Sequence, residues 1–222
     1  IRPRDWSSDV CSSDLDGLHS TVRSQLLPDI KPRYAGYVAW RGVVEAQRLA
    51  PELHGLMFHK MVFGFPAGEL MLSIPMPRPS GERCCHFVWF RPLTESALDD
   101  LCTDEDGRRH GVSIPPPLIR RALIDTVKRD ANASLAPQLR ALVHATAQII
   151  LHPIFDLESP CIAFQRVALI GDAAFVARPH VASGVMKAAV DAESLADALA
   201  AHGTNVSAAL ERYNRERQPY GA

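Results

Sequence analysis

The sequence predicts an α/β fold of the α+β kind: an antiparallel sheet in the first half of the chain, then helices and one short buried strand. Three observations predict it. β-branched and aromatic runs recur from Gly36 onward, as strands prefer. Beyond residue 94 that signal gives way to apolar residues spaced three and four apart. The composition, 47% hydrophobic and 22% charged over 222 residues, is that of a globular chain able to bury a core.

Residues 1–15 (IRPRDWSSDVCSSDL) show no periodicity and repeat the triplet Ser-Ser-Asp. They resemble a translated adapter sequence and are set aside as non-native. Strands are expected at 37–44, 57–65, 69–76 and 84–91, with Pro66-Ala67-Gly68 as a hairpin turn. Pro115-Pro116-Pro117 stiffens a loop, and Pro117 is expected to open a helix reaching Val127. The stripe Leu118, Ala122, Ile124, Val127 then packs in the core. A second helix is expected over 137–146. Residues 165–170 (QRVALI) read as a strand covered on both faces and ending at Gly171-Asp172. Helices follow over 183–201 and 206–217, the last with Glu211 and Arg215 as an i,i+4 surface pair.

Lys plus Arg number 24 against 25 Asp plus Glu, so no basic field attracts nucleic acid or an anionic membrane. The longest apolar stretches, such as 167–170, fall far short of a bilayer span of roughly 20 residues. Cys11, Cys84, Cys85, Cys102 and Cys161 contain no CxxC pair and read as reduced cytoplasmic thiols. His86 follows Cys84 and Cys85, but adjacent strand residues face opposite sides and do not share a metal ion, so none is expected.

Chemistry concentrates in Gly171-Asp172-Ala173-Ala174, followed by Pro179, Gly184, Ala188 and Asp191-Ala192. A carboxylate at a strand end accepts hydrogen bonds from ligand hydroxyls, and a glycine at the next helix start lets backbone N–H groups approach an anion. Taken alone, Gly171-Asp172 reads more readily as a capped turn than as a ligand site.

The whole string RVALIGDAAFVARPHVASGVMKAAVDAESLADAL resembles the second flavin-binding motif of the para-hydroxybenzoate-hydroxylase-like flavoprotein monooxygenases. Asp16-Gly17-Leu18-His19-Ser20-Thr21-Val22-Arg23 resembles that family's internal DG motif, and YAGYVAWRGVVE with Arg178-Pro179-His180 resembles its 2,6-dihydroxypyridine hydroxylase subgroup. The resemblance implies FAD as cofactor, NAD(P)H and dioxygen as co-substrates, and an electron-rich aromatic or heteroaromatic ring as substrate. It implies a partial Rossmann-like FAD-binding domain (16–35 and 156–222) with an inserted antiparallel-sheet substrate domain (36–155). By the same carry-over Asp172 holds the ribityl chain, with Gly171 a cofactor-binding residue before it, and Pro179, Ala182, Ser183 and Gly184 lie along the flavin ring. Asp16, Gly17, Ser20 and Arg23 take a cofactor-side role, the guanidinium suiting a phosphate or carboxylate.

Phe175 stands where many relatives have histidine, so His180 becomes the candidate acid–base residue, relaying a proton from a substrate hydroxyl. No Gly-x-Gly pair occurs anywhere, so the diphosphate fingerprint GxGxxG is missing. The expectation is an N-terminally truncated enzyme, inactive alone and prone to self-association. A homodimer is left open. The alternatives are a related FAD-dependent epoxidase or halogenase-like oxidoreductase, or a non-catalytic remnant that binds a small molecule.

Overall fold

The computed structural model describes residues 17–78 and 81–221; segment 1–15 and Asp16 lie outside the described residues. In chain order the elements are α1 (Thr21–Leu26), β1 (Arg33–Glu45), α2 (His54–Met57), β2 (Val62–Gly64), β3 (Leu70–Pro77), β4 (Arg83–Pro92) and α3 (Glu95–Leu101). There follow α4 (Arg121–Ser134), α5 (Pro137–Ala145), β5 (Ile150–Asp156), β6 (Ala163–Phe164), β7 (Val167–Ala168), α6 (Gly184–His202) and α7 (Val206–Arg217). Helices combine with antiparallel strands, as the sequence predicts. The chain divides into two compact units, one within the ranges Ile1–Ala35 and Phe155–Ala222, the other Gly36–Ile154.

The unit Gly36–Ile154 is built on a five-stranded sheet ordered β2-β3-β4-β1-β5. β4 is central and pairs antiparallel with β1 and β3, and its stretch 84–90 is buried without alternation, as in a strand covered on both faces. One sheet face carries Trp40, Val44, Met71, Phe87 and Trp89, all buried. Trp89 is fully enclosed; hiding roughly 200 Å² of ring is worth on the order of 5 kcal/mol before entropy is subtracted. Its indole N–H donates to Glu69 at 2.8 Å, and Arg91, 4.4 Å from the ring centroid, bridges Glu69 (2.8 Å) and Asp130 of α4 (2.6 Å). On this face Gly42 is required for space, since a Cβ there would meet Thr146 Cγ2 at 2.5 Å and Phe87 Cε1 at 2.7 Å.

Four expectations change. The run 57–65 is a strand only at Val62–Gly64, because His54–Met57 turns helical and buries Met57. Pro117 belongs to a 3-10 turn, after which Ile119 and Arg120 are extended, so α4 begins only at Arg121. β5 is a further strand that Pro153 disguises; it lies at the sheet edge, where a missing N–H is tolerated. The run 165–170 is not one buried strand. Gln165 adopts φ 48 and the chain reverses there, so β6 and β7 form a hairpin with Gln165, Arg166 and Val167 exposed.

In the other unit Ile162, Leu169, Ala174, Phe175, Ala198, Ala209 and Tyr213 make the core beneath α6 and α7. On α7 the i,i+4 ion pair is Arg212–Glu216 at 2.8 Å rather than Glu211–Arg215; Ser194 of α6 also donates to Glu216, which fixes that carboxylate. Among the described residues Cys84, Cys85, Cys102 and Cys161 are free thiols, and no three His, Cys, Asp or Glu gather to hold a metal. No described helix is long and apolar enough to cross a membrane.

Candidate functional site

The first motif folds as a turn feeding α1. Gly17 sits at φ 54, a left-handed conformation natural to glycine, and its carbonyl accepts from Ser20 N–H at 3.1 Å. Ser20 is the N-cap of α1, its Oγ accepting from Arg23 N–H at 2.9 Å. Arg23 is buried, 2% exposed, and its guanidinium donates to the carbonyls of Gly17, Leu18 and Ala173, the last at 3.1 Å. The two motifs, 150 residues apart, are thereby stitched together, and Arg23 faces carbonyl oxygens in this arrangement.

The second motif is a 3-10 turn, Gly171–Ala173, with Asp172 half-buried in it. Gly171 has φ 59, and a Cβ there would lie 3.3 Å from Ala188 of α6. What holds this turn lies farther along the chain. Asp191, completely buried, accepts from Gly171 N–H at 3.1 Å, from Lys187 Nζ at 3.2 Å and from Arg217 Nε at 2.9 Å. Lys187 also donates to Gly171 O at 2.9 Å and lies 3.3 Å from the centroid of the buried Phe175 ring. Phe175 thus serves the core and gives a π face to a cation. Burial lowers the Lys187 pKa, against the opposing pull of Asp191. Tyr213 completes the frame by donating to Leu169 O at 2.8 Å, and burial raises its pKa.

Between turn and helix runs the loop carrying Arg178-Pro179-His180. Arg178 pairs bidentately with Asp156 (2.7 and 2.6 Å), and this pairing holds the Asp156 carboxyl below its ordinary pKa. Pro179 opens a 3-10 turn, His180 within it is exposed, and Ala182 takes the left-handed φ 52 that redirects the chain into α6. Ser183 precedes α6 without capping it, its hydroxyl donating instead to Val181 O at 2.9 Å. A Cβ on Gly184 would meet nothing within 4 Å, and Val185 and Met186 are 75% and 68% exposed. The start of α6 is therefore open, uncapped and flanked by apolar surface.

A second polar cluster lies on the sheet of the unit Gly36–Ile154. Arg41 Nε donates to His86 Nε2 at 3.2 Å, and its Nη1 lies 3.3 Å from His152 Nδ1. Burial, then the nearby guanidinium, pushes both imidazole pKa values down to about 4. Sequence reasoning missed this cluster and the Lys187–Asp191–Arg217 network. For the latter a signal existed, a lysine and an aspartate four apart in an alanine-rich helix.

A family model described as FAD binding domain-like matches residues 34–156, and another described as FAD binding domain matches 161–222. The chain is 34% identical over 190 residues to 2,6-dihydroxypyridine 3-monooxygenase of Paenarthrobacter nicotinovorans, covering 82% of this chain and 46% of that protein. It is 25% identical to 6-hydroxynicotinate 3-monooxygenase of Pseudomonas fluorescens, with 90% and 47% covered. Among solved structures, 2,6-dihydroxypyridine-3-hydroxylase from Arthrobacter nicotinovorans superposes with a TM-score of 0.86 at 28% identity, over 93% of this chain and 52% of that one. Klebsiella pneumoniae HpxO complexed with FAD and uric acid gives 0.66 at 26% identity, over 93% and 46%. The chain spans about half the length of the relatives it matches.

Proposed function

The chain belongs to the FAD-binding domain-like family, among the para-hydroxybenzoate-hydroxylase-like flavoproteins, and from that membership we propose that it is part of an FAD-dependent monooxygenase hydroxylating an electron-rich aromatic or heteroaromatic ring. NAD(P)H and dioxygen are the co-substrates in this reading, and the cytoplasm is the site of action. The observation that carries it is the rigidly framed Gly171-Asp172 turn beside the open start of α6.

The residues present fit FAD. Asp172 is the acceptor for ribityl hydroxyls, and the uncapped N–H groups at Ser183 and Gly184 suit an electron-rich ring oxygen. Pro179, Ala182, Val185 and Met186 offer small or apolar surface to a flat ring. Gly17 and Ser20, with Asp16 before them, take the cofactor side of the first motif, and Arg23 holds that motif to the Gly171 turn. Bound FAD supplies the redox and oxygen-activating chemistry; the protein's part is orientation and a water-poor setting.

The unit Gly36–Ile154 is assigned to the ring substrate. His180, exposed on a loop anchored by Arg178 and Asp156, takes the proton of a ring hydroxyl, which raises the ring's electron density for oxygen transfer. Gly184→Ala tests the assignment, because an added Cβ there meets nothing within 4 Å. Flavin-fluorescence titration of this chain should show FAD binding that the variant weakens about tenfold or more at unchanged Tm. Equal FAD affinity in both proteins would refute the placement. In a complete enzyme, ring-dependent NAD(P)H oxidation without a hydroxylated product would refute the activity.

A further inference from the structure

We infer that Arg41, His86 and His152 form the recognition site for a negatively charged oxygen on the aromatic ring. The inference rests on the ring-hydroxylase reading above and names the chemical class of its substrate. It starts from an imbalance. The other inward-turned arginines have their own acceptors: Arg91 has Glu69 and Asp130, Arg178 has Asp156, Arg217 has Asp191, and Arg23 has three carbonyls. Arg41 is half-buried on the sheet, and among the described residues no carboxylate lies within ion-pairing distance of it. Its hydrogen-bonding neighbours are two imidazoles, which burial keeps neutral.

A half-buried cation without a counter-charge is partly desolvated at a cost, and an anion arriving with the ligand offsets it. The hydrogen-bonding inventory points the same way. A guanidinium carries five N–H donors and no acceptor, and two of the five face the histidines. Accepting from Arg41 assigns each ring its tautomer: His86 Nε2 and His152 Nδ1 are the acceptors, so Nδ1 of His86 and Nε2 of His152 carry hydrogen. The cluster's remaining hydrogen-bonding groups are therefore all donors, three on Arg41 and one on each imidazole. Such a set suits an enolate, phenolate or carboxylate oxygen and offers nothing to a ligand N–H.

The surroundings suit a ring. Arg41 is opposite Val88 and Val43 is opposite His86 across β1 and β4, while Leu72 of β3 is opposite Val88 on the other side. Opposed strand residues share a face, so Val43, Leu72 and Val88 flank the cluster with aliphatic carbon on which a planar heterocycle can lie. Three residues drawn from β1, β4 and β5 thus meet at one point of a rigid sheet.

The test compares two rings of the same shape, one bearing an anionic carboxylate and one a neutral amide, 6-hydroxynicotinate and 6-hydroxynicotinamide, by isothermal titration of this chain. Wild type should prefer the carboxylate about tenfold or more, and Arg41→Gln should abolish the preference while keeping the amide's affinity. Arg41→Lys, with melting curves for each protein, covers the case in which Arg41→Gln fails to fold; it should keep a weaker preference. In the wild type, the ring NMR signals of His86 and His152 should move on adding 6-hydroxynicotinate. Equal affinity for the two rings, a preference that survives Arg41→Gln, or histidine signals unmoved by a bound carboxylate would overturn the anion site and leave the hydroxylase reading standing. A wild-type chain that binds neither ring would overturn both.

Discussion

Asp191→Asn is the most informative single perturbation of the framework that holds the Gly171 turn. The replacement is isosteric and keeps one oxygen for the Gly171 N–H, so the loss reports charge rather than shape. Lys187 and Arg217, each only 10% exposed in the side chain, would face a neutral amide where they now share a carboxylate. Removing one member of a buried ionic group leaves uncompensated charge and costs about 3–5 kcal/mol. For a chain of this size each kcal/mol moves Tm by about 2–4 °C, so the expected drop is about 6–20 °C. Circular-dichroism melting and urea unfolding of wild type and variant measure it. Adding Lys187→Met should recover part of the loss, since it removes one of the two stranded cations. A single-variant loss below about 1 kcal/mol, or strict additivity of the two changes, would refute the claim that Asp191 neutralises both cations.

Gly42→Ala should cost about 1–3 kcal/mol, because the new methyl collides with Thr146 and the Phe87 ring edge in a packed core; an unchanged urea midpoint would contradict that crowding. Acid should destabilise the unit Gly36–Ile154. Between the ordinary histidine pKa of 6.5 and the folded value of about 4, His86 and His152 take up protons in the unfolded chain but not in the folded one. Stability therefore falls as pH drops through that window, by on the order of 3 kcal/mol per histidine once both states are protonated. Urea midpoints that stay flat from pH 7 to about 4 would refute it, and His86→Gln with His152→Gln should flatten the slope. In a complete enzyme His180→Ala should slow hydroxylation by about 10²-fold or more with FAD affinity preserved; an unchanged hydroxylation rate removes His180 from the mechanism.

The strands around 37–44, 69–76 and 84–91 were legible because strong β-formers sit between clear breakers, and Pro66-Ala67-Gly68 does turn the chain, with Gly68 at φ 72. Pro137 marks the start of α5 because a first-turn proline forfeits no helical hydrogen bond. Pro153 hid β5, since only the position of a strand in its sheet says whether a missing N–H matters. The Gly171-Asp172 turn stood out in a local string that also held Asp191, whereas the charge network beneath it did not: Arg217 lies 46 residues past Gly171, and that spacing carries no local signature. Arg41 and His152, separated by 111 residues, meet only through strand order. Local chemistry was readable, and long-range compensation of charge was not.

The hydrogen bond from Arg23 to Ala173 also sets a timetable for synthesis. At about 5–20 residues per second, the ribosome needs roughly 8–30 s to make the 150 residues between the two partners. Throughout that interval α1 is a six-residue helix, too short to persist by itself, and its arginine has yet to meet a carbonyl from the later half of the chain. The intervening sheet unit is completed meanwhile, and the early segment waits for its closing strap. A nascent chain stalled before Ala173 would offer proteases an open segment around α1 while the sheet unit is already protected, and release of the stall would close it.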